Sequence, residues 1–326
     1  MTRITSGRVA LPLFVAVGLA LTAALTTAPA AAHAAKTATV AATCNVFNTS
    51  ISPTTQLLSG SPSNLARGDE AREPGTNATA DEVPGYARNH SFAFSSTVDV
   101  YVHSITDGST GAVSNADIAK QIQVLNNGFS GQEGGYPTGF TFVLAGIDRT
   151  DNADWFNAGP GTSAERDMKQ ALHQGDATDL NIYLTTAGDF LGWSYFPSEY
   201  KTHPFLDGIV IDWASLFRVS KEYQGRYDLG KTATHETGHW LGLYHVFQGG
   251  CNNWGDYVDD TPPQLLATRG CPEGQDSCKE PGLDSIHNYM DYSYDSCYNQ
   301  FTAGQAARMQ DQWSYFRSNG GFTVQQ

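Results

Sequence analysis

From about Phe92 the chain alternates apolar and polar positions in FAFSSTVDVYVHSI, with Val98, Val100 and Val102 on one side, the period of a half-buried strand. A change of period follows. Ile118, Ile122 and Leu125 recur at helical spacing in DIAKQIQVLNNGF, and Ser114 stands where a cap belongs, with Asp117 favouring the positive end of the helix. FTFVLAGI (140–147), LNIYLTT (180–186) and DGIVIDW (207–213) predict further strands, with a second helix over SAERDMKQALHQ (163–174). Alternating strands and helices imply an α+β layer. After Gly250 the composition turns to Cys, Gly, Pro, Asp and Asn, and helical spacing resumes only in TAGQAARMQDQWSYF (302–316). The C-terminal part is therefore expected to be loop-rich and closed by one helix. No internal repeat is visible.

The region before Phe92 reads differently. Arg3 and Arg8 precede VALPLFVAVGLALTAAL and the small-residue run APAAAHAA, the pattern of a signal peptide cleaved after Ala34 or Ala30. An uncleaved anchor is the competing reading, but the apolar stretch is short for a membrane span and Pro12 interrupts it. Residues 35–91, rich in Ala, Thr, Ser, Gly and Pro without apolar period, read as a pro-segment or linker, with an irregular N-terminal arm packed on the domain as the alternative. The organisation expected is a signal peptide over 1–34, a pro-segment over 35–91 and a folded domain over 92–326. The product is a secreted, extracellular protein with no membrane contact after signal removal, acting as a monomer.

Charge and cysteine count narrow the function. With 33 acidic against 19 basic side chains, a net charge of -14 disfavours nucleic acid as a partner. Export places the five cysteines in an oxidising compartment, and Cys251, Cys271, Cys278 and Cys297 cluster late in the chain. They can form two bridges, for which counting alone leaves three connectivities. Cys44 is left over.

The chemistry concentrates in LGKTATHETGHWLGLYHVF, where His235, Glu236 and His239 form H-E-x-x-H and Gly242 and His245 extend it to H-E-x-x-H-x-x-G-x-x-H, a metzincin pattern. Residues four apart share one helix face, so His235 and His239 can converge on one ion. A straight helix would carry His245 away from that face, about 9 Å further along at about 1.5 Å per residue. The chain must turn, and Gly242 is the residue suited to end the helix in the left-handed region. Three neutral imidazoles leave one tetrahedral position of a zinc ion open, the arrangement of a catalytic site. Glu236, beside the first ligand, is placed to act as general base on the water there. Cobalt or copper would accept the same ligands.

These residues, with GDYVDDTP (255–262) and NYMDYSYDSCYNQFTAGQAARM, carry a resemblance to the pappalysins, secreted metzincin zinc metalloproteases, from about Phe92 to Phe316. The resemblance implies an endopeptidase acting on protein or peptide substrates. Its fold is a metzincin catalytic domain with an N-terminal mixed twisted sheet plus long helices and an irregular, disulfide-braced C-terminal subdomain, divided at about residue 245. It implies that Met290 lies in the turn beneath the metal, that Tyr292 hydrogen-bonds the developing oxyanion, and that the bridges are Cys251 to Cys278 and Cys271 to Cys297. Asp295 is implied to shape the primed-side pocket and favour a basic side chain, and LGWS (191–194) to form the rim strand that pairs with substrate. Asp256, Asp259 and Asp260 are a candidate calcium site. Cys44 is a candidate zymogen switch whose thiolate would fill the open zinc position. The alternative is a catalytically weak protein-binding module on the same fold, against which the presence of Glu236 argues.

Overall fold

The valine alternation becomes the second strand of a six-stranded mixed sheet, in a computed structural model that describes residues 54–57, 94–251 and 255–318. The strands are β1 (Thr54–Leu57), β2 (Ser96–Thr106), β3 (Phe140–Asp151), β4 (Leu180–Thr185), β5 (Phe190–Ser194) and β6 (Ile209–Asp212). Their order is β1-β5-β6-β4-β2-β3, with β2, β3, β4 and β6 parallel, β5 antiparallel to β6, and β1 antiparallel to β5. All six residues of β4 are buried, as suits a central strand covered on both faces. The signal peptide expected over 1–34, and Cys44, lie outside the described residues. Within the segment whose composition predicts no regular element, 54–57 form a strand. It owes this to backbone pairing with β5, Thr54 opposite Ser194 and Gln56 opposite Gly192, and not to any apolar period.

Helix α1 (Asn115–Phe129) connects β2 to β3. Its capping box is reciprocal: the Ser114 hydroxyl accepts from the Asp117 amide at 3.2 Å, and the Asp117 carboxylate accepts from the Ser114 amide at 3.3 Å. Ile118, Ile122, Leu125 and Phe129 pack on Val98, Val100, Ile182 and Ile211 in the main core. The opposite face of the sheet is covered by α2 (Ala153–Phe156) and α3 (Ser163–Leu172), where Phe156 and Met168 meet Tyr183, Trp193 and Val210. In α3, Glu165 and Lys169 form a fully buried ion pair at 3.1 Å. Glu165 also accepts from the Trp193 indole (2.7 Å) and the Tyr195 hydroxyl (3.1 Å), which fastens β5 to the helix layer. Burial lowers the Lys169 pKa, opposed by Glu165.

Helix α4 (Lys231–Trp240) is buried along its whole length, between the sheet and the irregular C-terminal region. That region contains the disulfides Cys251–Cys278 and Cys271–Cys297 and ends in α5 (Ala303–Gln312), capped by Thr302 and Gln305 and continued by a π-turn over Trp313–Arg317. Among the described residues no helix is long and apolar enough to cross a membrane.

Arg317 is fully buried and donates to both carboxylate oxygens of Asp207 (2.9 and 3.0 Å) and to the Trp240 carbonyl (2.8 Å), its guanidinium 3.8 Å from the Trp240 ring centroid. One side chain thus ties the last described turn, the residues leading into β6 and the C-terminus of α4. Removing one partner of such a pair leaves a buried charge uncompensated. Arg317→Met is expected to cost about 3–5 kcal/mol in equilibrium urea unfolding, and Asp207→Asn/Arg317→Met less than the sum of its single substitutions. At the end of β6, Asp212 accepts from the Tyr223 hydroxyl (2.6 Å) and the Ala214 amide (2.8 Å), yet burial raises its carboxyl to about 7. The folded state then binds the proton more tightly than the unfolded chain, so this carboxyl's contribution to stability falls as pH rises from about 4 to about 7. Asp212→Asn should flatten that part of the stability profile measured by chemical denaturation at each pH.

Candidate active site

The first two histidines lie one turn apart on α4, and the helix ends immediately after them. The Gly242 amide donates to the His239 carbonyl (2.8 Å) and the Leu243 amide to the Gly238 carbonyl (3.0 Å), the paired bonds of a Schellman ending. Gly242 adopts φ +94°, as this ending requires, and a Cβ there would also run into the Gln312 side chain at 2.6 Å. The chain doubles back, and His245 returns to the face that carries His235 and His239. Their Nε2 atoms lie 3.0 to 3.1 Å from one another, all three rings buried.

The outward-facing nitrogens decide the protonation. His235 Nδ1 lies 2.6 Å from the Tyr289 carbonyl oxygen and His239 Nδ1 2.6 Å from that of Leu243. A carbonyl only accepts, so each Nδ1 carries the proton and each Nε2 presents a lone pair in the neutral ring. Burial holds both pKa values well below the ordinary histidine range, and the neighbouring imidazoles push the same way. Lone pairs facing one another at 3 Å repel unless a cation sits among them. This donor set fits a metal ion, and the carbonyls orient its ligands as outer partners do.

Both carbonyls come from turns. Asn288 accepts from the Met290 amide (2.9 Å), the Asp291 amide donates to the Asn288 carbonyl (3.1 Å), and the Asp291 carboxylate accepts from the amides of Thr268 and Tyr292. The turn thus formed holds Tyr289 under His235, while the Met290 carbonyl accepts from the Val246 amide (3.2 Å), next to His245. Met290 itself is fully buried and packs against α4 at Gly238, between the two helical histidines. Tyr289 is anchored in turn by its hydroxyl, 2.5 Å from Glu133, which also pairs with Lys231 at the start of α4.

Tyr292 stands beside the cluster, its ring centroid 4.8 Å from His245 and 5.7 Å from His235. Phe247 lies parallel to His245 at 4.7 Å and edge-on to Tyr292 at 5.1 Å. Glu236 is completely buried, with its Cγ 3.0 Å from where a Cβ on Gly192 of β5 would stand. Asp295 is buried at the N-terminus of α4, where Oδ2 accepts from the Leu229 amide (2.8 Å) and the Lys231 amide (3.3 Å). Its Oδ1 has no hydrogen-bond partner among the described residues, and burial raises the carboxyl to about 7. The three aspartates read as a calcium site do not gather as a metal cluster among the described residues. Asp256 Oδ1 accepts from Thr261 (2.7 Å) and the Val258 amide, and Asp260 accepts from Thr302 (2.6 Å) and the Gly304 amide (2.8 Å).

Sequence reading did not single out Tyr289, Leu243, Phe247 or Glu133 for this site. Two act through backbone carbonyls, which carry no side-chain signature, and Glu133 meets its partners across large sequence separations. Phe247, two residues beyond His245, was within reach of the motif's spacing.

Comparison with known proteins finds relatives of this chain. A family model described as Pregnancy-associated plasma protein-A matches residues 184–314. An extracellular metalloprotease of Pyricularia oryzae is 48% identical over 229 residues, covering 68% of this chain and 76% of that protein. One from Arthroderma benhamiae is 45% identical over 229 residues, covering 68% and 74%. Among solved structures, a promirolysin mutant of Tannerella forsythia is 31% identical with a TM-score of 0.60, covering 68% of this chain and 81% of that one. Mirolysin in complex with compound 9 is 32% identical at TM-score 0.60, covering 68% and 92%.

Met290→Ala would open a cavity directly beneath the imidazoles. It is expected to destabilise the domain by about 2–5 kcal/mol in equilibrium unfolding, whereas Met290→Leu, of similar volume, should cost less than about 1.5 kcal/mol.

Proposed function

The chain belongs to the pappalysin family of metzincin metalloproteases, and from that footing we propose that it is a secreted zinc endopeptidase whose metal is held by His235, His239 and His245. The observation that carries this reading is the triangle of Nε2 atoms at 3.0 to 3.1 Å, with the Nδ1 atoms of His235 and His239 committed to carbonyls. Nitrogens about 2.0–2.1 Å from zinc at tetrahedral angles stand about 3.3 Å apart, close to this spacing. Zinc bound there would supply a Lewis acid that polarises the scissile carbonyl and acidifies a water near neutral pH.

The rest of the reaction belongs to the chain's own groups. Glu236 takes a proton from the attacking water as the new C–O bond forms, then returns it to the amine nitrogen as the C–N bond breaks. Its side chain passes close to β5, with Cγ 3.0 Å from where a Cβ on Gly192 would stand. Tyr292 donates its phenolic hydrogen bond to the carbonyl oxygen as negative charge develops on it. The substrate lies along β5 as an added strand. That edge is the one on which Thr54–Leu57 pairs, which supports a precursor whose rim is covered by its own pro-segment. Cys44, the candidate switch, lies ahead of this strand and outside the described residues. The buried, unpartnered Oδ1 of Asp295 supports a preference for a basic side chain on the primed side.

Glu236→Gln should retain bound zinc by elemental analysis while kcat on a peptide substrate falls by about 10²–10⁴-fold or more. His239→Ala should lose both metal and activity, and a chelator should abolish wild-type cleavage reversibly. If Glu236→Gln cleaves casein at the wild-type rate, the general-base assignment is wrong. Mass spectrometry of peptides cut by wild type and Asp295→Asn should show enrichment of Arg or Lys after the cut only for wild type.

A further inference from the structure

The return of the chain from His239 to His245 needs support beyond the Schellman ending, which closes only the helix. Leu243 carries the carbonyl that orients His239, and Tyr244 immediately precedes His245. On either side of Leu243 stands the same group. Arg308, from the middle of α5, donates from Nε to the Gly242 carbonyl at 2.8 Å and lays its guanidinium over the Tyr244 ring, 5.0 Å from the centroid. Its exposure is 9%. The loop over Gly255–Pro262 completes the housing: Tyr257 packs on Tyr244 at 5.7 Å with Arg308 5.9 Å from its own centroid, and Asp256 ties the loop to Thr261.

We propose that Arg308 is a positioning residue for the metal, bracketing Leu243 so that His239 and His245 are aimed together before any ion arrives. The inference rests on the zinc reading above and adds to it a reason for the α5 sequence. The Gly242 carbonyl lies one residue past the C-cap of α4, where a guanidinium both satisfies it and suits the negative end of the helix dipole. The flat guanidinium can do this while stacked on an aromatic face, which a lysine ammonium does less well. The aspartates of 255–262 then serve to hold the loop that walls in this arginine. Arg317 on the same chain segment grips the Trp240 carbonyl, so the end of α4 is held from two points.

The test is zinc affinity, measured on the purified full chain by competition with a chromophoric chelator. Arg308→Met keeps the aliphatic stem and loses the planar donor. It should bind zinc about 10–100-fold more weakly than wild type, the usual cost of removing an outer partner. Arg308→Lys should fall between the two. Tyr244→Leu, which removes the stacking face and leaves the Gly242 bond, should weaken zinc in the same direction and serves if Arg308→Met does not fold. Arg149 donates to the Val113 carbonyl at 3.0 Å on the far edge strand, so Arg149→Met controls for loss of an arginine-to-backbone bond elsewhere. Cobalt(II) substituted into wild type and Arg308→Met should give visible d–d bands of different intensity. Zinc affinity of Arg308→Met within about twofold of wild type, with only a lowered unfolding midpoint, would overturn the proposal, since outer partners of a metal change affinity by more. Failure of the underlying zinc reading is recognised separately, because His239→Ala would then bind zinc as tightly as wild type.

Discussion

The Nε2 atoms of His235 and His239, 3.0 Å apart with lone pairs turned toward each other and toward His245, repel until a cation comes between them. The fold must hold them there, and much of the domain can be read as the means. Carbonyls of Tyr289 and Leu243 hold the ring protons on the outer nitrogens of His235 and His239. Burial disfavours the protonated rings that would otherwise relieve the crowding. A neutral, preoriented set of donors costs little further rearrangement when a cation binds, and it binds more weakly once protons compete.

The carbonyls are only as well placed as the turns that carry them. The Met290 turn is built from Asn288 and Asp291 side chains folding onto neighbouring amides, and it touches two histidine segments at once, through Tyr289 to His235 and through the Met290 carbonyl to Val246. The two disulfides lie in the same irregular region, where few apolar residues are available to pack. Cross-links that limit the unfolded chain compensate for that thin core. On the far face of the sheet, the buried Glu165–Lys169 pair fastens β5 through Trp193, so the strand that meets Glu236 is fixed from behind while β1 pairs along its edge.

Legibility in the sequence followed the range of the interactions. The valine alternation, the Ser114–Asp117 cap and the helical spacing in 163–174 correspond to β2, α1 and α3 with boundaries shifted by a few residues, since each depends on neighbours in the chain. β1 was not legible, because its pairing is made by backbone groups with a distant edge and leaves no pattern in TTQL. The carboxylates of Asp256 and Asp260 read as metal ligands by type, whereas their neighbours in space are the hydroxyls of Thr261 and Thr302. Nothing in the local sequence distinguishes those two fates.

By itself the sequence determined which groups could hold a metal and which group could move a proton. The helical repeat sets His235 beside His239, and Gly242 is the point where the chain can reverse, both properties of a few consecutive residues. Only the tertiary structure decided that these groups meet in a usable geometry. Aiming His235 takes the carbonyl of Tyr289 from a turn 54 residues away, and such contacts are set by packing of whole elements, which no short stretch of chain encodes.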